Sequence, residues 1–86
     1  MLKTDKVIYH TKLQVEYNWL MEQLEEAGCI WASKDSPTKG QFYYKYLSAT
    51  CIWVYDRIIT CGDYGYYKNN SQEYNGWAFV EVSDLM

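Results

Sequence analysis

His10 is the single histidine of this 86-residue chain and the first side chain that could do chemistry. An imidazole acts as a general base when it can reach a proton to abstract. His10 directly precedes Thr11, which we predict to cap a helix, so the simpler interpretation is a side chain that packs on the first helical turn beside Val15. No serine lies in a G-x-S-x-G motif, and no glycine loop fits a nucleotide-binding motif. The sequence therefore favours a protein that is not an enzyme.

Three cysteines, Cys29, Cys51 and Cys61, could form a zinc site together with His10. Structural zinc sites usually take their ligands in closely spaced pairs, and the chain has no C-x-x-C pair. Each cysteine lies in or beside an apolar strand pattern, where a free thiol packs as a small core residue. The N-terminal residues also lack the apolar stretch of a signal peptide. We therefore predict reduced cysteines, no metal or other cofactor, and a cytoplasmic location.

Acidic residues and one tryptophan lie on the outer face of a predicted helix. Glu22 and Glu26 are four residues apart and share a face, which is the spacing of an acid pair, but solvated acids are common on an outer helix face. Trp19 points away from the apolar stripe of the same helix. It is either covered by the segment 36–49 or displayed as an anchor for a partner, because tryptophan is enriched among interface hot spots.

Tyrosine is the most informative residue type, with ten in the chain. Seven of them lie in two segments that also carry loop signals: Tyr43, Tyr44 and Tyr46 in the first, and Tyr64, Tyr66, Tyr67 and Tyr74 in the second. Tyrosine offers a large contact area with a polar tip, which suits recognition of a protein. Its ring can also stack on a nucleobase. The net charge of −3 and the low density of basic residues argue against binding to a phosphate backbone and weakly favour a basic partner.

One helix is strongly indicated over residues 12–27. Thr11 and Gln14 fit a capping box at its start, and Gly28 is the residue that ends it. Its apolar face is formed by residues at helical spacing: Leu13, Tyr17, Leu20, Met21 and Leu24.

Strands are predicted at 6–10, 29–32, 50–55, 58–61 and 77–82, with turns at 56–57 and 75–76. We expect a short strand or helical turn at 42–47 and a loop at 63–75. The order β-α-β-β-β-β predicts one α+β domain over 1–86, with a single helix on one face of a four- to five-stranded, mostly antiparallel sheet. The long loops, or a second copy of the chain, must then cover the other face. No apolar run is long enough to span a bilayer.

Three segments carry a resemblance to known proteins: KVIYHTKLQVEYNWLMEQLEEAGCIWAS (residues 6–33), TCIWVYDRIITCGDYGYY (50–67) and FVEVSDLM (79–86). In these segments the chain resembles a loosely defined class of small accessory proteins encoded by phages and prophages of Gram-positive bacteria. The resemblance implies an intracellular accessory protein. Such proteins include inhibitors of bacterial defence systems or of host machinery, which commonly work by occluding a protein surface.

The leading hypothesis is therefore a non-enzymatic binding protein that masks a host or defence protein. Its candidate contacts are the acids beside the helix tryptophan and the loop tyrosines: Trp19, Glu22, Glu26, Tyr43, Tyr44, Tyr46, Tyr64, Tyr66 and Tyr67. The alternative is a binder of nucleotides or single-stranded nucleic acid that stacks bases on tyrosine.

Overall fold

Five short strands form one sheet in the computed structural model, which describes residues 2–39 and 43–86. The strands are β1 (Val7–Thr11), β2 (Ile30–Trp31), β3 (Thr50–Tyr55), β4 (Ile58–Asp63) and β5 (Ala78–Glu81), in the spatial order β2-β4-β3-β1-β5. Pairs β1–β3 and β3–β4 are antiparallel, whereas β1–β5 and β2–β4 are parallel. The α+β class and the strand number are confirmed, but the sheet is mixed and not mostly antiparallel.

The first helix, α1 (Gln14–Glu26), ends as the sequence predicts. Gly28 has a φ of +85°, the left-handed conformation that glycine adopts without strain. Its N–H donates to the Glu25 carbonyl, and the Cys29 N–H donates to the Leu24 carbonyl. These two bonds form a Schellman motif, which satisfies carbonyls that the helix itself leaves unpaired.

The predicted start of α1 is wrong. Thr11 belongs to β1, where it pairs with Thr50, and its hydroxyl donates to the Thr50 carbonyl. The helix begins after Leu13, and the carboxylate of the buried Glu16 accepts the Lys12 N–H at 2.9 Å. Leu13 is therefore 57% exposed and does not join the apolar face. The local pattern assigns Thr11 to the helix cap, but its pairing with Thr50 makes it a strand residue.

Helix α1 covers one face of the sheet. Its side chains Tyr17, Leu20, Met21 and Leu24 are buried against strand residues that point the same way. Those strand residues are Val7, Tyr9, Ile52, Val54 and Ile59. Each alternates with a neighbour that points to the opposite face, as the period of a strand requires. This is the larger of the two cores.

The second face of the sheet is also covered by the chain, and by a helix that the sequence did not predict. The expected loop at 63–75 contains α3 (Tyr64–Asn69) and a 3-10 turn (Ser71–Tyr74). Another short helix, α2 (Tyr43–Tyr46), confirms the helical turn and excludes the strand that were the two alternatives at 42–47, of which Phe42 lies outside the described residues. The single-helix description is therefore wrong. Aromatic side chains close this face over Ile8, Cys51 and Trp53: Tyr67, Tyr74, Trp77 and Phe79.

Both predicted tight turns are confirmed. Asp56 and Arg57 join β3 to β4 with φ values of +50° and +65°, the signs of a type I′ hairpin turn. Gly76 has a φ of +91° immediately before the last strand. In the described part of the chain, no helix has the length and apolar character needed to cross a membrane.

Candidate functional site

A pocket of about 400 Å³ lies where α2, α3 and the ends of β3 and β4 meet. Four aromatic side chains line it together with smaller residues of β4 and one carboxylate: Tyr46, Trp53, Tyr66, Tyr74, Thr60, Cys61, Gly62 and Asp63. We call it the aromatic pocket. Its volume lies in the range of pockets that bind small molecules or single side chains of a partner.

Trp53 forms the floor of the aromatic pocket because Gly62 leaves room for its ring. A Cβ atom on Gly62 would lie 2.8 Å from Cζ3 and 3.2 Å from Cη2 of the Trp53 indole. Such separations are below van der Waals contact, so the ring could not stay where it is. Trp53 is 7% exposed, and its indole nitrogen has no hydrogen-bond partner in bonding geometry.

The other rings stand at steep angles to that floor. The Tyr66 ring lies 6.0 Å from Trp53 at 71°, and the Tyr74 ring lies 5.8 Å away at 57°. Burial raises the pKa of Tyr74, and its contacts with the Tyr66 hydroxyl act in the same direction, while the Trp53 indole opposes them. The Tyr74 phenol therefore stays protonated at neutral pH and can donate a hydrogen bond. Rings at such angles are in edge-to-face or tilted contact and do not form a parallel stack.

Asp63 places a carboxylate on the pocket wall for a local structural reason. It is the N-cap of α3, and its side chain accepts the backbone N–H of Tyr66. The same bond fixes the first turn of α3, which carries Tyr66 itself to the rim, where its side chain is 52% exposed. In the described part of the chain, no lysine or arginine forms an ion pair with Asp63.

The thiols near the pocket are not nucleophiles. Burial raises the pKa of Cys51 to about 12, and the nearby Glu81 carboxylate adds to the effect. Burial raises the pKa of Cys61 to about 11, although the charge of Lys45 opposes it. The thiolate is the reactive form of cysteine, so both side chains are inert near neutral pH.

His10 lies on the second face of the sheet, not against α1, so the predicted contact with Val15 is wrong. Its Nε2 donates to the Ser48 carbonyl at 2.8 Å, and its Nδ1 lies 2.7 Å from Glu81 Oε1. The ring also stacks on Tyr64, with centroids 5.0 Å apart at 19°. Both nitrogens are engaged and the side chain is 7% exposed, so His10 is a structural tie between β1, β5 and the turn that follows Tyr46.

The tyrosines predicted to bind a partner are divided among several places. Tyr46 and Tyr66 line the aromatic pocket. Tyr64 and Tyr67 pack beside it in a cluster with Phe79, where the Tyr67 and Phe79 centroids are 4.6 Å apart.

The first tyrosine segment shows a similar division. Tyr43 turns towards the α1 side, where its hydroxyl donates to the Lys12 carbonyl and its ring packs on Tyr17. Tyr44 is 71% exposed and is not a lining residue of the pocket.

The candidate residues of α1 lie on the opposite side of the sheet from the aromatic pocket. Trp19 is half-buried and packs against the larger core, so only part of its ring is displayed. The 3-10 turn Pro37–Lys39 also packs on α1, where the Thr38 hydroxyl donates to Glu25 at 2.6 Å. Glu22 and Glu26 are exposed. These three side chains therefore do not share a site with the pocket tyrosines.

Sequence reasoning missed the residues that make the pocket a site: Trp53, Gly62, Asp63 and Tyr74. The alternation of residues 50–55 puts Trp53 on the same strand face as Cys51, but it does not indicate a pocket there. An aspartate directly before a glycine-containing tyrosine run is a signal for a helix cap, and that signal could have indicated α3.

Comparisons of the chain with protein-family models, with curated proteins and with solved structures found no match. Among the described residues, no group of three histidine, cysteine or acidic side chains is placed to hold a metal ion. The fold and the site therefore define a small α+β domain with an aromatic, acid-bearing pocket.

The buried neutral groups predict how stability depends on pH. Burial raises the folded-state pKa of Cys51, Cys61 and Tyr9 to about 12, 11 and 12, whereas an unperturbed thiol titrates at 9.0 and an unperturbed phenol at 10.0. Above those unperturbed values the unfolded chain loses protons that the folded protein keeps. The stability that each group contributes is complete below its unperturbed pKa and is lost as the pH rises to its folded-state pKa, by at most about 1.4 kcal/mol per pH unit.

Urea unfolding monitored by circular dichroism at pH 7, 9 and 10.5 measures this dependence. We expect a midpoint that is level up to pH 9 and then falls, and a shallower fall for Cys51→Ala. A midpoint that does not fall above pH 9, or that falls equally in the variant, would contradict the assignment.

Proposed function

We propose that this protein is a non-enzymatic binding protein that recognises a partner protein through the aromatic pocket and its tyrosine rim, and so occludes or modulates that partner. The observation that carries the proposal is the pocket itself: angled aromatic rings and a carboxylate that forms no ion pair with a described residue, around a cavity of about 400 Å³. Tyrosine and tryptophan are the residues that most often dominate binding energy at interfaces.

The chemistry of the neighbouring groups supports binding over catalysis. His10 Nε2 donates to the Ser48 carbonyl, His10 Nδ1 faces Glu81 Oε1 at 2.7 Å, and the thiols of Cys51 and Cys61 stay protonated near neutral pH. A general base or nucleophile needs a free lone pair within reach of the substrate. None of these three side chains offers one to the pocket.

The resemblance to phage and prophage accessory proteins suggests the class of partner. We propose a host or defence-system protein of a Gram-positive bacterium, met in the host cytoplasm, as the first class to test. The exposed acids Glu22 and Glu26 of α1, beside Trp19, are a second candidate contact. They lie across the sheet from the pocket, so variants can separate the two surfaces.

A pull-down from a Gram-positive lysate tests the proposal with three forms of the full chain. We expect wild type to capture a specific protein, the double variant Tyr46→Ala/Tyr66→Ala to lose it, and Glu22→Gln/Glu26→Gln to retain it. Tyr66 is half exposed and Tyr46 is a rim residue, so the double variant should keep its fold, which circular dichroism checks.

Two results would count against the proposal. One is the absence of any specific capture across a series of salt concentrations. The other is capture that the pocket variant leaves unchanged. Loss of capture only in the α1 variant would move the binding surface to Glu22 and Glu26.

A nucleotide or single-stranded nucleic acid is the second candidate ligand. Tyr44 is 71% exposed and adjoins Lys45, an arrangement that suits a stacked base with a nearby phosphate. The carboxylate of Asp63 disfavours phosphate at the pocket itself. Thermal melting with a panel of nucleotides and oligonucleotides tests this candidate, and the absence of any shift at millimolar concentration would eliminate it.

A further inference from the structure

Building on the proposed function, we propose that the aromatic pocket receives an alkylammonium group, as carried by a lysine side chain or its methylated forms on the partner. Three properties of the pocket lead to this ligand class: the angles of its rings, the sign of its charge and its size.

The rings present the surface that cations prefer. The face of an aromatic ring carries negative potential, and a cation within about 6 Å of the ring centre is attracted to it, most strongly by tryptophan. The Trp53 floor and the Tyr66 and Tyr74 walls have centroids 6.0 and 5.8 Å apart. A single cation inside the pocket can therefore lie within range of several rings at once. This is the arrangement by which aromatic cages bind quaternary ammonium groups.

The charge of the pocket has the sign that such a ligand needs. Among the described lining residues, Asp63 is the only one with a charged side chain. Within the described residues, the basic side chains that come close to a carboxylate, His10 and Lys12, both approach Glu81. Lys45 lines the adjoining pocket together with Trp31 and Ile59, and it makes no ion pair with Asp63. Within the part of the chain that the structure describes, the carboxylate therefore has no ion-pair partner and is placed to pair with a cationic ligand.

The pocket size fits an ammonium group and its alkyl stem. About 400 Å³ is larger than a bare ion requires and accepts the trimethylammonium head with several methylenes. The alkyl stem of the ligand would bury apolar surface against the same aromatic side chains, and this burial would stabilise the complex. A nucleobase would also fit between the rings, but its phosphate would approach Asp63.

A matched pair of ligands isolates the charge. Choline and 3,3-dimethylbutan-1-ol have nearly the same shape and differ in whether the central atom is a cationic nitrogen or a neutral carbon. Titration of the full-length protein, followed by NMR, measures both dissociation constants, with Nε-trimethyllysine as the side-chain analogue. We expect choline and trimethyllysine to bind with dissociation constants of roughly 1–10 mM and the neutral alcohol to bind at least about tenfold more weakly.

Two variants isolate the role of the carboxylate. Asp63→Asn keeps an N-cap side chain that accepts the Tyr66 N–H but removes the charge. We expect it to weaken choline binding about fivefold or more without a change in melting temperature. Glu22→Gln removes the same charge from the α1 face and should leave the dissociation constant of choline unchanged.

The inference is overturned if the neutral alcohol binds as tightly as choline, or if choline shows no saturable binding up to about 50 mM. It is also overturned if Asp63→Asn and Glu22→Gln change choline binding equally, or if adenosine monophosphate outcompetes choline. If choline fails while the pull-down depends on Tyr46 and Tyr66, the ligand class is wrong and the proposed function stands. If choline binds but capture of the partner does not depend on Tyr46 and Tyr66, the proposed protein-binding function is wrong.

Discussion

Replacing His10 with alanine is expected to lower the free energy of unfolding by about 3 kcal/mol. The change removes one hydrogen bond and one close contact with a carboxylate in a place with little access to water, because His10 is 7% exposed. It leaves the Ser48 carbonyl without its donor at 2.8 Å, and it leaves the half-buried Glu81 carboxylate with Lys12 as its remaining basic neighbour. The ring contact with Tyr64 is lost as well.

Lys12→Ala is the matched control for the same carboxylate. Lys12 Nζ lies 3.8 Å from Glu81 Oε2 and its side chain is 53% exposed, so its loss should cost no more than about 0.5 kcal/mol. Urea unfolding of both variants and of Glu81→Gln gives the comparison. If His10→Ala costs no more than Lys12→Ala, the histidine is not the tie between β1, β5 and Ser48 that the structure shows.

The same tie reaches the aromatic pocket through the chain. Ser48 lies in the 3-10 turn Leu47–Ala49, which directly follows α2 and Tyr46. We therefore expect His10→Ala to weaken choline binding in addition to destabilising the fold. Lys12→Ala should leave choline binding unchanged.

Replacing Gly62 with alanine is expected to weaken choline binding by at least about tenfold and to lower the free energy of unfolding by about 1–3 kcal/mol. The added Cβ would meet the Trp53 ring at 2.8 Å. The ring is enclosed by Cys51, Tyr66 and Tyr74, so it cannot move aside without disturbing the pocket floor.

Gly65→Ala is the control for Gly62→Ala. Gly65 lies in α3, and a Cβ there would make only one contact, at 3.4 Å from Asp63 Oδ1. Alanine favours a helix over glycine by about 1 kcal/mol, so this variant should be as stable as wild type or more stable. Near-ultraviolet circular dichroism of the tryptophans, thermal melting and choline titration compare the two. Equal behaviour of the two alanine variants would contradict the role of Gly62.

The sequence predicted those parts of the fold that depend on neighbouring residues. The alternation in β3 predicts that Ile52 and Val54 share one face and Trp53 lies on the other, and the two cores confirm it. Gly28 ended the helix because only a left-handed residue closes a Schellman motif without strain.

The errors arose where distant contacts decide local structure. Helix α3 contains Gly65 and Asn69, which are poor helix formers, and its six residues are too few to be stable alone. Its rings pack on the sheet, and that packing selects the helix over a loop. Thr11 does not cap α1 for the same reason, since its pairing with Thr50 keeps it in β1.

The sequence predicted which residue types form the site, but it did not predict which residues meet in space. Tyr46 and Tyr66 were proposed as contacts because tyrosine suits recognition, and both line the pocket. Their meeting with Trp53 depends on the pairing of β3 with β4, which sets Gly62 beside the indole. The partner of His10 is likewise a residue of the last strand, Glu81, and no local pattern joins them.

The most direct test of the central claim locates the bound ligand in solution. The protein labelled with nitrogen-15 is titrated with choline, and its four tryptophan indole signals are assigned by single substitution to phenylalanine. The pocket predicts that the Trp53 indole signal and the backbone signals of Tyr66 and Tyr74 move together and saturate, while the Trp19 signal stays in place. Saturable shifts confined to Trp19 and α1, with Trp53 unmoved, would contradict it.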